Sequence, residues 1–316
     1  MTRRARRDDR RRPPRVAWSI PTEPGTGEVL GSGVRAAGLN GADRLQVAGL
    51  YPPRPAFSRH PGLELAGEVL ALGPGEVTAS PSVTADGRRR RWQAQRAVVN
   101  ERHSAADPRR HRLGRGQASP RSSPPPTTPC SPRRTSRSAS GSACTAPQAA
   151  VGTAGVQLAV AAGASVVATV RNPERRADVA ALGATVVDPD DFGTHGPFDV
   201  VLELVGAPNL PADVAALATG GRIAVIGVGA GAKAEVNLLA LMGARGSICG
   251  STLRARSLED KADAARRVER HVLGLLADRT VQVPIAATYA MTDAAAAYER
   301  FAAGNKFGKI ILEDPT

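Results

Sequence analysis

The chain has 316 residues, enough for two domains, and a hydrophobic content of 42% supports cores although aromatics make up only 3%. No run is long and apolar enough to span a membrane and the charged N-terminus lacks the apolar core of a signal peptide, so a soluble, cytoplasmic protein is expected. The net charge of +13 suggests a nucleic-acid partner, but residues 1–15 carry about +6 and residues 80–150 about +11, leaving about −4 elsewhere; the part that reads as folded offers no basic face to a phosphate backbone.

Residues 1–26 read as a disordered basic tail, rich in Arg up to Arg15 and broken by Pro13 and Pro14. Order begins near Gly27. Glu28, Val29 and Leu30 precede Gly31-Ser-Gly33, an unusual composition for a strand, and Tyr51-Pro52-Pro53 reads as a turn. Gly62 to Gly73 has the glycine-punctuated apolar pattern of a bent barrel strand. From Ser80 to Ala150 the chain is dense in Arg, Pro and Ser, and neither helical nor strand periodicity survives.

The pattern returns at Val151. Val156, Ala159, Val160 and Gly163 share one helical face, and Gly163 ends the helix. Ser165 to Val170 is the β-branched run of a buried parallel strand. A helix from Pro173 to Leu182 and a strand from Thr185 to Val187 follow. Helix, strand, helix, strand is half of a doubly wound nucleotide-binding sheet. Further on, the reading is a strand at Phe198–Val205, a helix at Pro211–Ala218 closed by Gly220-Gly221, and strands at Arg222–Gly227 and Ser247–Thr252. A helix capped by Ser257, with Asp260 in the capping-box position, reaches Ala277. Val281–Tyr289 is extended, Thr292 caps a helix ending at Gly304, and Lys309–Leu312 is a last strand.

Two places carry chemistry. Gly152 and Gly155 have no side chain, so a pyrophosphate can reach the helix N-terminus there; the alternative is a pair of helix-packing glycines, because Thr145 to Ala150 does not read as the strand such a fingerprint requires. At the end of the Ser165–Val170 strand, where NAD sites place an acid on the ribose 2′-OH, stand Arg171, Asn172, Arg175 and Arg176. Guanidinium groups there suit a 2′-phosphate and so NADPH; the alternative is a solvated basic helix start, which the helix dipole disfavours. Cys130, Cys144 and Cys249 have no paired spacing, so neither a disulfide framework nor a zinc knuckle is expected.

Val34-Arg-Ala-Ala-Gly-Leu-Asn40-Gly-Ala-Asp43, Gly49-Leu-Tyr51-Pro-Pro53, Gly62-Leu-Glu64 and Gly67-Glu-Val69 resemble the opening of the medium-chain dehydrogenase/reductase superfamily, and within it the zinc-independent quinone oxidoreductases. Leu241-Met-Gly-Ala-Arg245, Gly250-Ser-Thr-Leu-Arg254-Ala-Arg256-Ser257 and Gly304-Asn305-Lys-Phe-Gly308-Lys309 agree with it. The resemblance implies an α/β chain: a partial GroES-like β-barrel catalytic domain at 27–79, a Rossmann NADPH-binding domain at 151–280, and a return to the catalytic domain at 281–316. It implies Asn40 and Tyr51 near the nicotinamide and substrate, with a turn asparagine and a core tyrosine as the plain alternatives. Leu45 stands where some relatives have a second cleft tyrosine. Arg175 matches a 2′-phosphate contact, Gly227, Ser251 and Thr252 match contacts to the nicotinamide half, and Asn305 and Lys309 match a segment near the cofactor. A homodimer is implied as well.

Zinc-dependent members carry histidine at the position of Leu63, which cannot ligate a metal, so no metal is expected. The expected chemistry is hydride transfer from NADPH to a quinone or similar acceptor, with an enoyl or alkenal reductase, or an inactive NADPH-binding or nucleic-acid-binding chain, as the rivals. The segment 80–150 stands where the family completes its barrel and supplies the first nucleotide-binding strand. A disordered linker, a nucleic-acid arm and an out-of-frame stretch of a GC-rich coding sequence compete for it, and the last accounts best for the abrupt return of pattern at Val151.

Overall fold

The structure is a computed structural model and describes residues 28–47, 62–74, 82–86, 97–100, 102, 104–106, 141–253 and 256–314. The chain divides into two compact units: Met1–Ser104 with Ala287–Gly304 and Ile310–Thr316, and Ala105–Ala286 with Asn305–Lys309.

The first unit is built on a seven-stranded sheet. Its strands are β1 (Glu28–Gly38), β2 (Glu64–Leu72), β3 (Ser82–Asp86), β4 (Ala97–Asn100), β5 (Ser104–Ala106), β12 (Ile285–Ala290) and β13 (Lys309–Glu313). The order is β12-β13-β1-β2-β3-β5, with β4 also on β1. The glycines of Gly31-Ser-Gly33 lie inside β1, where the register against β2 shifts at Leu30/Gly31 and again at Ser32/Val34. Such bulges bend a strand. Accordingly the two ends of β1 take different partners, Glu28–Gly31 pairing with β4 and Ala36–Gly38 with β13. A short helix α1 (Gly41–Val47) follows β1. A further helix of this unit, α8 (Ala294–Ala302), buries Ala294, Ala297 and Tyr298. Asp293 rather than Thr292 is its N-cap, and no side chain caps it; a 3-10 turn at Met291–Asp293 occupies the expected cap.

The second unit is a six-stranded parallel sheet in the order β11-β10-β9-β6-β7-β8. The strands are β6 (Gly141–Thr145), β7 (Ser165–Thr169), β8 (Thr185–Val187), β9 (Phe198–Glu203), β10 (Leu217–Val225) and β11 (Ser247–Gly250). The helices are α2 (Ala150–Ala161), α3 (Arg176–Ala180), α4 (Leu210–Ala215), α5 (Leu238–Gly243), α6 (Leu258–His271) and α7 (Leu273–Ala277). Neighbouring residues of each central strand serve opposite layers. Ala143, Val201 and Ile223 join Phe192, Phe198 and Val214 in one core, whereas Cys144, Val166 and Ala168 join Val156 and Val179 in the other. That is the two-sided burial of a parallel sheet covered by helices on both faces.

Several expectations need correction. The stretch 80–150 is not without regular structure, because β3, β4, β5 and β6 form within it. Most important is β6, which supplies the strand expected to be missing before Gly152. It pairs with β7 on one side and β9 on the other. Gly-Ser-Ala-Cys-Thr carries almost no β signal by itself. Two flanking strands with unpaired ladders impose the extended form, and its small side chains fit where both faces are covered. The helix expected at Pro173–Leu182 is a 3-10 turn at Pro173–Arg175 followed by α3. Leu217 to Gly221 belongs to β10, not to the preceding helix or its stop. The helix from Ser257 breaks at Val272, and the capping box of Ser257 with Asp260 is present. Cys249 is disulfide-bonded, contrary to the reading of the cysteine spacing. No described helix is long and apolar enough to cross a membrane.

Candidate active site

In the second unit β6 and β9 are neighbours, with β7 and β8 running outward on one side and β10 and β11 on the other. This is the switch point of a doubly wound sheet, and ligands bind beyond the carboxyl ends of the strands there. The turn after β6 leads through Ala146, Pro147 and Gln148 to Ala149, the extended N-cap of α2, which offers no side-chain cap. The first turn contains no acid. Its N–H groups therefore look for an acceptor, as a helix start that receives an anion does.

Only one fingerprint glycine is in place. A Cβ on Gly152 would lie 2.5 Å from the carbonyl oxygen of Ala146 and 2.6 Å from Cα of Pro147. Gly152 thus lets α2 pack against the turn below it, the role of the last glycine of such a motif. A Cβ on Gly155 would come 2.5 Å from Leu202 Cδ2, so this glycine serves helix-to-strand packing. Both close approaches are to protein atoms, backbone at Gly152 and a side chain at Gly155. Ala146 holds φ at 50°, a conformation natural to glycine and costly for alanine.

The end of β7 gathers the arginines with acids. Arg175 Nη1 donates to Asp178 Oδ2 at 2.8 Å and Arg176 Nη2 to Asp188 Oδ2 at 2.7 Å. Arg171 is exposed and makes no hydrogen bond or ion pair among the described residues. Sequence reasoning saw the cations but not the carboxylates that the turn and β8 bring to them. The C-terminal loop arrives at the same place. Asn305 Oδ1 accepts from Asn172 Nδ2 at 2.6 Å and from Arg175 Nε at 3.3 Å, and Asn305 Nδ2 donates to Glu174 Oε2 at 3.3 Å. Glu174 joins this group of side chains, and the sequence alone did not single it out. Gly308 N donates to the Gln148 carbonyl at 3.1 Å, tying this loop to the start of α2. Lys309 is only 1% exposed, so its ammonium does not stand on an accessible surface.

The ends of β9, β10 and β11 form the other half. Glu203 is buried, and its Oε1 accepts from the N–H groups of Val205 and Gly206 while Oε2 accepts from Asn209 Nδ2. Asp213 on α4 is 1% exposed and has no donor to either oxygen. Burial, then the neighbouring Glu203, raises its pKa to about 8. Burial and Glu203 likewise push the free Cys144 thiol up to about 12, so it is no nucleophile. Gly227 was expected to let a ligand approach. The close neighbour that its missing Cβ admits is instead the carbonyl of Leu204. Ser251 N donates to the Val225 carbonyl, and Ser251 Oγ accepts from Arg256 Nη2 at 3.1 Å. Arg256, present in the motif that carries the resemblance, brings a cation that sequence reasoning passed over. Thr252 is exposed beside Ser251.

In the first unit Asn40 precedes α1. Its backbone N–H donates to Asp43 Oδ2 at 2.8 Å, and Asp43 Oδ1 also accepts from Gly62 N at 3.2 Å. Asn40 Nδ2 donates to the Gly38 carbonyl at 3.3 Å, and Asn40 has no positive φ, so it is not a left-handed turn asparagine. Tyr51 lies outside the described residues.

Residues 150–270 match the zinc-binding dehydrogenase family. No curated protein matches the chain in sequence. Among solved structures it is similar to an alcohol dehydrogenase superfamily protein from Novosphingobium aromaticivorans, at a TM-score of 0.80 and 23% identity, covering 93% of this chain and 94% of that one. It is similar to the quinone oxidoreductase of Thermus thermophilus, a structure also determined with NADPH, at 0.73 and 26%, again covering 93% and 94%. A crotonyl-CoA carboxylase/reductase in complex with NADP matches at 0.77 and 19%, covering 93% and 88%. The family's description implies zinc, and the described residues do not fit it. Leu63 carries no ligating atom, and no group of three or more His, Cys, Asp or Glu able to hold a metal gathers among the described residues.

Proposed function

We propose that the chain, which carries the medium-chain dehydrogenase/reductase fold and matches the zinc-binding dehydrogenase family over residues 150–270, is an NADPH-dependent oxidoreductase of the zinc-independent, quinone-reducing kind. The observation that carries this reading is the uncapped start of α2 at the switch point of the sheet, together with the arginines that end β7. A bound nicotinamide supplies a hydride from its C4. The protein's part is to hold and orient. The first N–H groups of α2 take the pyrophosphate, and Arg171 and Arg175 take the 2′-phosphate. Gly227, Ser251 and Thr252 border the nicotinamide half, Arg256 fixes the Ser251 hydroxyl, and Asn305 and Lys309 belong to the segment that closes on the start of α2. Asn40 is the residue that would hydrogen-bond the acceptor oxygen, and Tyr51 the one that would wall its pocket or give it a proton. The Thermus neighbour supports a quinone as acceptor.

NADPH should bind more tightly than NADH by about 1–3 kcal/mol if a charge-assisted pair forms with the 2′-phosphate, and Arg175→Glu should narrow the gap. Equilibrium titration checks this; equal affinity for both cofactors would refute the NADPH assignment. Steady-state oxidation of NADPH against quinone and enone panels decides the acceptor. Turnover of enones with quinones inert would move the reading to enoyl reduction.

We also infer a homodimer. Its support is the apolar surface of α5, where Leu238, Leu239 and Met242 are 67%, 77% and 71% exposed, and the position of β11 at the end of the sheet.

A further inference from the structure

Asn305 is held at φ 44°, directly after Gly304 at 68°. Asparagine tolerates this left-handed backbone, and the turn brings its carboxamide to the end of β7. The orientation of that carboxamide is settled by its neighbours. Two donors, from Asn172 and Arg175, meet one side of it, and a carboxylate, Glu174, meets the other. The Arg175 guanidinium is pinned along two edges, Nε at Asn305 and Nη1 at Asp178. Its Nη2 points to Glu174 Oε2 at 3.9 Å, too far for a hydrogen bond. One anionic oxygen of Glu174 thus stands in front of two donors, Asn305 Nδ2 and Arg175 Nη2, on a side chain that is 70% exposed. Exposed pairs of this kind are weak and readily exchanged.

We propose that Glu174 occupies the donor site that a ribose 2′-phosphate would take, as an internal competitor for it, and that Asn305 is the positioning residue that keeps this site formed. The inference rests on the nicotinamide reading above. A phosphate oxygen has the acceptor character of the Glu174 carboxylate and more charge, so it can displace Glu174 while Asp178 keeps hold of Arg175. Arg171, four residues upstream, adds a cation with no partner among the described residues. NADPH must expel Glu174 to bind, and NADH need not. The ratio of the two affinities is therefore set by Glu174 and Asn305 in opposite senses.

The experiment measures equilibrium dissociation constants of NADPH and NADH for the full chain and two variants, by nicotinamide fluorescence, with the thermal shift at saturating nucleotide alongside. Glu174→Gln removes the competing charge and keeps the shape; it should tighten NADPH about threefold to tenfold and leave NADH unchanged. Asn305→Gly keeps the left-handed backbone and removes the carboxamide; it should weaken NADPH by a similar factor with NADH again unchanged. A purely structural role would move both nucleotides in the same direction in both variants, and that result would overturn the proposal. So would a parent that binds both nucleotides and whose preference neither variant alters, an outcome that leaves the oxidoreductase reading standing. A parent that binds neither nucleotide overturns both.

Discussion

Asp213 shows what a single residue contributes when its surroundings refuse it a donor. Its pKa is raised from 3.8 to about 8 by burial and by Glu203, while an unfolded Asp loses its proton near pH 4. Between those values the unfolded chain binds fewer protons than the native one, so stability falls as pH rises from about 4 to about 8 and then levels off, with a slope of at most about 1.4 kcal/mol per pH unit. Asp213→Asn supplies an amide donor to Glu203 and cannot ionise. Its gain in urea midpoint over the parent should be larger at pH 8 than at pH 5; an equal gain at both would mean that Asp213 is not the titrating group. Ala146 is the other telling residue. At φ 50° an alanine pays about 1–2 kcal/mol that glycine does not, offset in part by about 0.5–1 kcal/mol of glycine's chain entropy. Ala146→Gly should therefore be neutral to mildly stabilising, by up to about 1 kcal/mol in denaturant titration, where glycine at an ordinary helix or strand position would destabilise.

At the scale of elements, the β6–α2 unit decides whether the second domain works. The close approach of the Ala146–Pro147 backbone to α2 leaves no room for a side chain at position 152. Gly152→Ala must push that turn away or lift the helix, at about 1–3 kcal/mol. The measurement is a denaturant midpoint with NADPH affinity beside it, and both should fall; wild-type stability would show that the turn yields freely. Elements with local signals were legible without any fold. Ser257 and Asp260 announce a capping box that the structure contains, Gly163 stops α2 at φ 81°, and the β-branched run at 165–169 is β7. The illegible elements were those held by partners. Nothing local in Gly-Ser-Ala-Cys-Thr marks β6, and nothing in Leu217–Gly221 separates the start of β10 from a helix end. The register of β10 against β9 is itself interrupted between Leu217 and Arg222, which is why the strand start is hard to see.

Across the whole molecule, the proposed homodimer is tested on the apolar surface of α5. Leu239→Glu with Met242→Glu places charges on side chains that are 77% and 71% exposed, so folding should survive while the dimer does not. Light scattering on the purified chain should then report half the parent mass; a parent that is already monomeric would end the dimer reading. The composition of residues 80–150 is a property of the whole chain too. Strands form at its borders, and much of its Arg, Pro and Ser excess falls between Ala106 and Gly141, outside the described residues. If that excess arises from a shifted reading frame, translating the coding DNA in the other two frames should recover a glycine-rich turn just before Val151, where Ala146, Ala149 and Ala150 now stand. Failure in both frames would leave a genuine insertion as the account.

The sequence by itself determined the alternation of helix and parallel strand after Val151 and the basic character of the end of β7. These are written in side-chain type and spacing, which act over a few residues. The tertiary structure alone decided that a five-residue run of small side chains becomes the central strand, that Gly152 serves packing, and that each of Arg175 and Arg176 meets a carboxylate. It also brought Asn305 to Asn172 from 133 residues away. Those outcomes depend on which ladders lack a partner and which charges the folded backbone brings together, and residues distant in sequence settle them.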